Sequence, residues 1–242
     1  LTNEICKICK REFERGKINV SSAGTLLSFM EKPNFKMSFG FAQYCAEGNL
    51  CGDTIKTIND SRGHMVFIIS DGKGSRAALD GAMGAGLLSK LLSAGFGFDS
   101  SLKVVNSALL VKSHEESLAT LDCVRVDLFS GKCEFYKAGA PRSYIVKDDR
   151  LTKCELTSMP AGILRGVEFA KRTTVLNTDD EIIMMSDGVT DVGNEWLEKF
   201  LRLETTLDPN EKAKAILKIA LENSDEKHRD DMSVIVAKML ER

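Results

Sequence analysis

Between Phe35 and Tyr44 the chain alternates: Phe35, Met37, Phe39 and Phe41 are set against Lys36, Ser38 and Gly40. A period of two places each set on its own face, so the stretch predicts a β-strand with one apolar side. Gly48 and Gly52 interrupt the pattern over Ala46–Asp53, a turn that leads into a second strand near Thr54–Asn59. Asn59–Gly63 has the composition of a hairpin turn, and His64–Ser70 is apolar enough for a buried strand.

The period then changes. Over 75–94 the residues Ala77, Ala78, Leu87, Leu88, Leu91 and Leu92 sit at helical spacing, with Ala82, Gly84, Ala85 and Gly86 between them. Small residues of this kind let a helix lie close to a sheet. A second helix is expected over about 101–112. Leu121–Leu128, Lys132–Lys137 and Ser143–Val146 read as strands, punctuated by Ser130-Gly131 and Gly139–Pro141. Phe169–Leu176 and Glu181–Ser186 are expected to pair through a polar turn at Asn177–Asp180. Helices over 194–204 and 209–223 follow, and Met232–Met239 closes the chain as an apolar strand. Near the start, Ile5, Ile8 and Phe13 mark a short amphipathic helix over 3–16. Strands, two helices, more strands, helices and a last strand make an α+β domain with antiparallel pairing, not a regular βαβ alternation. The expected division is a helical segment over 1–31 and one domain over 32–242. The first segment is either regulatory or dimerising, or simply a packing helix.

Composition narrows the function. With 242 residues, 43% of them hydrophobic, the chain can bury one substantial core. Thirty-three basic against 35 acidic residues give a net charge of −2 with no basic stripe, which argues against a nucleic-acid partner. Apolar runs such as Met65–Ile69 are too short to span a bilayer. Seven scattered cysteines fit reduced thiols in the cytoplasm, and Cys6-x-x-Cys9 lacks the second ligand pair that a zinc knuckle needs. The chain starts at Leu1 rather than Met, so it reads as a piece of a longer protein whose membrane anchor, if any, lies elsewhere.

Candidate chemistry lies in four segments that place an aspartate at the end of an apolar strand: Cys51-Gly52-Asp53, Ser70-Asp71-Gly72, Ser186-Asp187-Gly188 and Arg229-Asp230-Asp231-Met232. An Asp-Gly after a strand is ordinary turn chemistry, and none of the four is informative alone. Together, carboxylates at the rim of a buried sheet would repel one another unless cations balanced them. Carboxylates and carbonyls suit hard ions, so Mg²⁺ or Mn²⁺ is expected, and His64, His114 and His228 form no ligand pair. Glycine after Asp71 and Asp187 would let an ion or its waters approach the backbone. Two such ions about 4 Å apart could activate a water and hold a phosphoryl oxygen.

These segments resemble, in order and spacing, the motifs of the metal-dependent protein phosphatases of type 2C. Ser-Asp-Gly-Lys-Gly-Ser at 70–75 is similar to the first metal-binding motif. Asp180 through Asp191 is similar to the second Asp-Gly motif with its trailing aspartate, Arg229–Val234 to the closing motif, and Gly52-Asp53 to the Gly-Asp upstream. Ser117–Asp122 and Met159–Ile163 resemble the bacterial sporulation and stress-response branch. The resemblance implies two packed antiparallel sheets, a β-sandwich, with helices on both outer faces. It implies two ions, with Asp71 bridging both and the Gly72 carbonyl on one of them. Asp187 and Asp230 would complete the other site, and Asp53 would lie on the Gly72 side. Asp71, Asp187 and Asp230 are thereby the catalytic set, and a metal-bridging water would attack a phosphoserine or phosphothreonine. The implied partner is a small phosphoserine protein that controls a sigma factor, an anti-anti-sigma factor; a homodimer through segment 1–31 is a further expectation.

One departure stands out. Many relatives carry histidine where this chain has Lys73, and a lysine near its ordinary pKa of about 10.4 is a poor acid at neutral pH. Lys73 reads as a solvated surface residue ahead of one that helps attract phosphate, and Arg76, Arg142 and Arg165 are either phosphate clamps or ordinary surface residues. Two other readings remain. Gly72 to Ala77 approximates a dinucleotide-binding turn, without the acidic residue that such a site needs about 20 residues later. A catalytically silent phosphatase-fold binding module is the second.

Overall fold

The computed structural model describes residues 33–46, 50–59, 62–74, 76–111, 118–148, 150–166 and 168–242. The expectations for segment 1–31, including its helix, the Cys6–Cys9 pair and a dimer contact, lie outside the described residues.

The alternating stretch forms β1 (Phe35–Tyr44), followed by β2 (Asp53–Asn59) and β3 (His64–Lys73). Two helices come next, α1 (Ala77–Ser93) and α2 (Phe98–Val111). They lead to β4 (Leu118–Asp127), β5 (Lys132–Ala138), β6 (Ser143–Lys147), β7 (Arg150–Cys154), β8 (Ala170–Val175) and β9 (Glu181–Met185). One helical turn, α3 (Asp187–Thr190), precedes α4 (Glu195–Leu203), α5 (Pro209–Asn223) and the final strand β10 (Met232–Glu241).

The strands make two five-stranded sheets, in the orders β1-β10-β9-β6-β7 and β2-β3-β4-β5-β8. Every recorded pairing is antiparallel. The sheets pack face to face around Phe67, Val124, Phe135, Ile182, Met184 and Ile235, all buried. Burying one such side chain contributes roughly 1.5–3 kcal/mol. On the outer face of the second sheet, α1 and α2 bury Leu88, Leu102 and Val105 against Ile68 and Leu121. On the outer face of the first, α4 and α5 bury Leu197, Leu201 and Ile216 against Ile183 and Val234. The result is the expected sandwich, helices outside and sheets inside. Strands covered on both faces lose the polar alternation of a half-exposed sheet, which is why β3 and β9 read as unbroken apolar runs.

Three expectations are corrected. β8 and β9 do not pair: β8 joins β5 in one sheet, while β9 lies between β10 and β6 in the other. The polar segment 177–180 therefore crosses between layers rather than closing a hairpin. Strand β7 was not expected; four of its five residues stay at least partly exposed at the sheet's edge, so no apolar pattern marks it. The dinucleotide-binding reading fails because β3 runs antiparallel to both neighbours, so no βαβ crossover exists around α1. Among the described residues, no helix is long and apolar enough to cross a membrane.

Candidate metal centre

Asp53 and Asp71 face each other directly across the β2–β3 ladder. Asp71 shares its face of β3 with Phe67 and Ile69, so both carboxylates lie at one end of the inter-sheet core and are buried. Burial pushes Asp53 up to about 6, against the nearby hydroxyls of Ser186 and Ser233, which pull the other way. It pushes Asp71 up to about 7, opposed by the hydrogen bond from Lys73 and reinforced by the charges of Asp187 and Asp53. Neither oxygen of Asp53 has a well-formed hydrogen bond. A buried carboxylate without donors is costly, and a cation is what such a group lacks.

The other sheet supplies the opposing wall. Asp187 opens α3 directly after β9, and Asp230 precedes β10. These two strand ends are tied together: the Ser186 amide donates to the Ser233 carbonyl at 3.0 Å, and the Ser233 amide donates to the Ser186 hydroxyl at 2.9 Å. A Cβ on Gly188 would lie 2.2 Å from the Asp231 carbonyl, so only glycine lets α3 settle here. Gly72 has a similar duty. A Cβ there would lie 1.9 Å from the Ala77 carbonyl and 2.6 Å from the Gly81 nitrogen, so its missing side chain makes room for α1. The expected reason, backbone access for an ion, is not the contact that a side chain would break.

Asp71 and Asp187 meet across a single cation, the ammonium of Lys73. Its Nζ lies 2.6 Å from Oδ2 of each carboxylate. Lys73 is therefore not the solvated surface lysine that the sequence suggested. Partial burial pulls its pKa down, but the hydrogen bonds to Asp187 and Asp71 outweigh that and raise it. A lysine held this firmly in its charged form is a still poorer acid.

Asp230 lines the same cleft as Asp71, Gly72 and Lys73, a space of about 590 Å³, but stands exposed at its rim. Its Oδ1 accepts the Asp231 amide at 2.8 Å. Asp191 feels the charges of Asp187, Lys73 and Asp230, so these four groups share one neighbourhood. Among the described residues, no three acidic, histidine or cysteine side chains are gathered closely enough to hold an ion as they stand. The donor set nonetheless fits hard divalent cations. It consists of carboxylates and a carbonyl, and one pair already closes on a positive charge.

Several contributors escaped the sequence reading. Asp231 accepts the Ala46 amide at 2.7 Å and the Gly52 amide as well, pinning both ends of the loop that delivers Asp53. Gln43 donates to the Asp53 carbonyl and to the Ser233 hydroxyl, each at 3.1 Å. The doubled aspartate at 230–231 was visible, but its division of labour was not. Of the candidate clamps, Arg76 lines the cleft, whereas Arg142 pairs with Glu155 at 3.1 Å, and Arg165 does not line the cleft. Arg229, not singled out before, also lines it.

Residues 61–240 match the stage II sporulation protein E family. Stage II sporulation protein E of Bacillus subtilis is 28% identical over 222 residues, which cover 88% of this chain and 27% of the relative. The protein of the same name from Priestia megaterium is 30% identical over 200 residues, covering 79% of this chain and 34% of the relative. The chain thus spans about a quarter to a third of the length of these curated relatives. Among solved structures, the type 2C phosphatase domain of the Bacillus subtilis protein, with a fragment of its regulatory domain, superposes with a TM-score of 0.78 at 27% identity. That match covers 87% of this chain and 64% of the other.

Proposed function

Because the chain belongs to the stage II sporulation protein E family, we propose that it is a metal-dependent protein serine/threonine phosphatase. The observation that carries the reading is the convergence of Asp71 and Asp187, from opposite sheets, on one positive charge 2.6 Å from each. Asp53, Asp71, the Gly72 carbonyl, Asp187 and Asp230 would hold two manganese or magnesium ions. When bound, such ions acidify a water and neutralise phosphoryl oxygens.

The chain's own residues supply the rest. Burial disfavours the charged forms of Asp53 and Asp71, which a bound cation would restore, and the Ser186–Ser233 links keep Asp187 and Asp230 at one strand end. Arg76, exposed on the cleft wall, is placed to meet a phosphomonoester dianion. With Lys73 held charged, the proton for the departing serine or threonine oxygen comes from solvent. The substrate would be a phosphoserine protein of sigma-factor control, an anti-anti-sigma factor, in bacterial sporulation.

Asp71→Asn and Asp187→Asn are each expected to abolish hydrolysis of p-nitrophenyl phosphate while circular dichroism stays that of the wild type. EDTA should silence the wild type, and Mn²⁺ should restore it. Turnover that persists after exhaustive chelation would overturn the metal assignment. A wild type inert with Mn²⁺ toward this ester and toward a phosphorylated anti-anti-sigma factor would leave a silent binding module instead.

A further inference from the structure

We propose that Lys73 is an internal counter-cation that closes the site and must be displaced before a divalent ion can bridge Asp71 and Asp187. The inference rests on the metal reading above and concerns a residue that this reading leaves without a task.

The geometry is specific. One Nζ lies 2.6 Å from a carboxylate oxygen of both Asp71, 8% exposed, and Asp187, 31% exposed, and it donates a hydrogen bond to the second. Charge-assisted contacts this short are the strong kind, and they place the ammonium between the two carboxylates that a shared divalent ion would draw on. The lysine can nevertheless leave. Its backbone is fixed as the last residue of β3, opposite Leu118, but its side chain is 37% exposed and opens on the cleft. Displacement exchanges two carboxylate contacts for a solvated ammonium and needs only side-chain rotation. The apparent affinity for a divalent ion is then its intrinsic affinity reduced by the fraction of molecules in which Lys73 is already away.

Two effects of removing the lysine must be separated. Deleting any positive charge from the cleft favours cations by long-range electrostatics, whereas only Lys73 occupies the bridging position. Calorimetric titration of Mn²⁺ into metal-free wild type, Lys73→Gln, Lys73→Arg and Arg76→Met distinguishes them. Lys73→Gln is expected to bind at least about tenfold tighter than wild type. Arg76→Met, which removes a charge from the same wall, and Lys73→Arg, which keeps the charge, should both stay within about threefold. If Lys73→Gln fails to fold without metal, the Lys73→Arg arm still decides, because a tenfold gain there would overturn the proposal. Equal or weaker binding by Lys73→Gln, or an equal gain from Arg76→Met, would also overturn it and leave the metal reading standing. No binding by any folded variant would remove the metal reading and this inference together.

Discussion

Glu134 shows how a single carboxylate on this molecule is read in terms of pH. Its side chain is nearly covered, yet Arg125 donates to it through both Nε and Nη2, and Lys132 and Lys171 lie 3.0 and 3.5 Å away. Burial pushes the group up, but the hydrogen bonds from Arg125 and Lys132 outweigh it and hold the pKa at about 2, below the ordinary 4.5. A depressed pKa means that the folded state holds its proton less tightly than the unfolded chain does. The stabilisation is complete above pH 4.5 and is lost as pH falls from there through about 2. Glu134→Gln should flatten that part of the stability profile, measured as urea midpoints between pH 5 and 2. Legibility at this scale divides by sequence distance. Asp71 and Asp187 stand out in the sequence because each follows an apolar run, Val66–Ile69 and Ile182–Met185, whereas Asp53 and Asp230 are noticed only as members of the set. Lys73 was misread because one of its two partners lies 114 residues away, and nothing local distinguishes a solvated lysine from a clamped one.

Elements were legible where burial is periodic. Strand β1 alternates, β3 and β10 run apolar, and α1 carries small residues toward the sheet; each was recognisable in sequence. The edge strand β7 was not, since Arg150, Thr152 and Lys153 are exposed and only Cys154 is buried, which leaves no apolar face to recognise. Pairing was harder still. β8 and β9 are neighbours in the chain but not in a sheet, because what assigns each to its layer is the partner it meets, β5 or β10, and that contact is tertiary. Asp231 accepts the Ala46 and Gly52 amides at the two ends of the loop from β1 to β2. Asp231→Ala should raise hydrogen exchange at those two amides while β10 stays protected, because the strand keeps its ladders to β1 and β9. Unchanged exchange at Ala46 and Gly52 would show that the loop is held by other means.

At the scale of the whole molecule, the two sheets are joined by more than apolar packing. Lys137 on β5 is fully buried and donates to Asp122 on β4 at 2.7 Å, to the Pro141 carbonyl at 2.6 Å and to Ser143 at the start of β6 at 2.8 Å. Ser143 in turn donates to Asp122 at 2.7 Å. All three ammonium protons are used, and the network ties one layer to the other. Lys137→Met should cost on the order of 3–5 kcal/mol in urea denaturation, because it strands a buried carboxylate. Replacing Asp122, Lys137 and Ser143 together with apolar residues of similar volume should recover most of that loss. A single variant as stable as wild type would show that the network adds nothing to stability.

Asp53 and Asp71 ride on one layer of the sandwich; Asp187 and Asp230 ride on the other. The site is thus a seam between two plates rather than a pocket within either. If the plates slide past one another by a single ångström, every separation across the seam changes, though each plate keeps its own internal geometry. Whatever grips one plate from outside, however far from the seam, would thereby change the spacing of the four carboxylates.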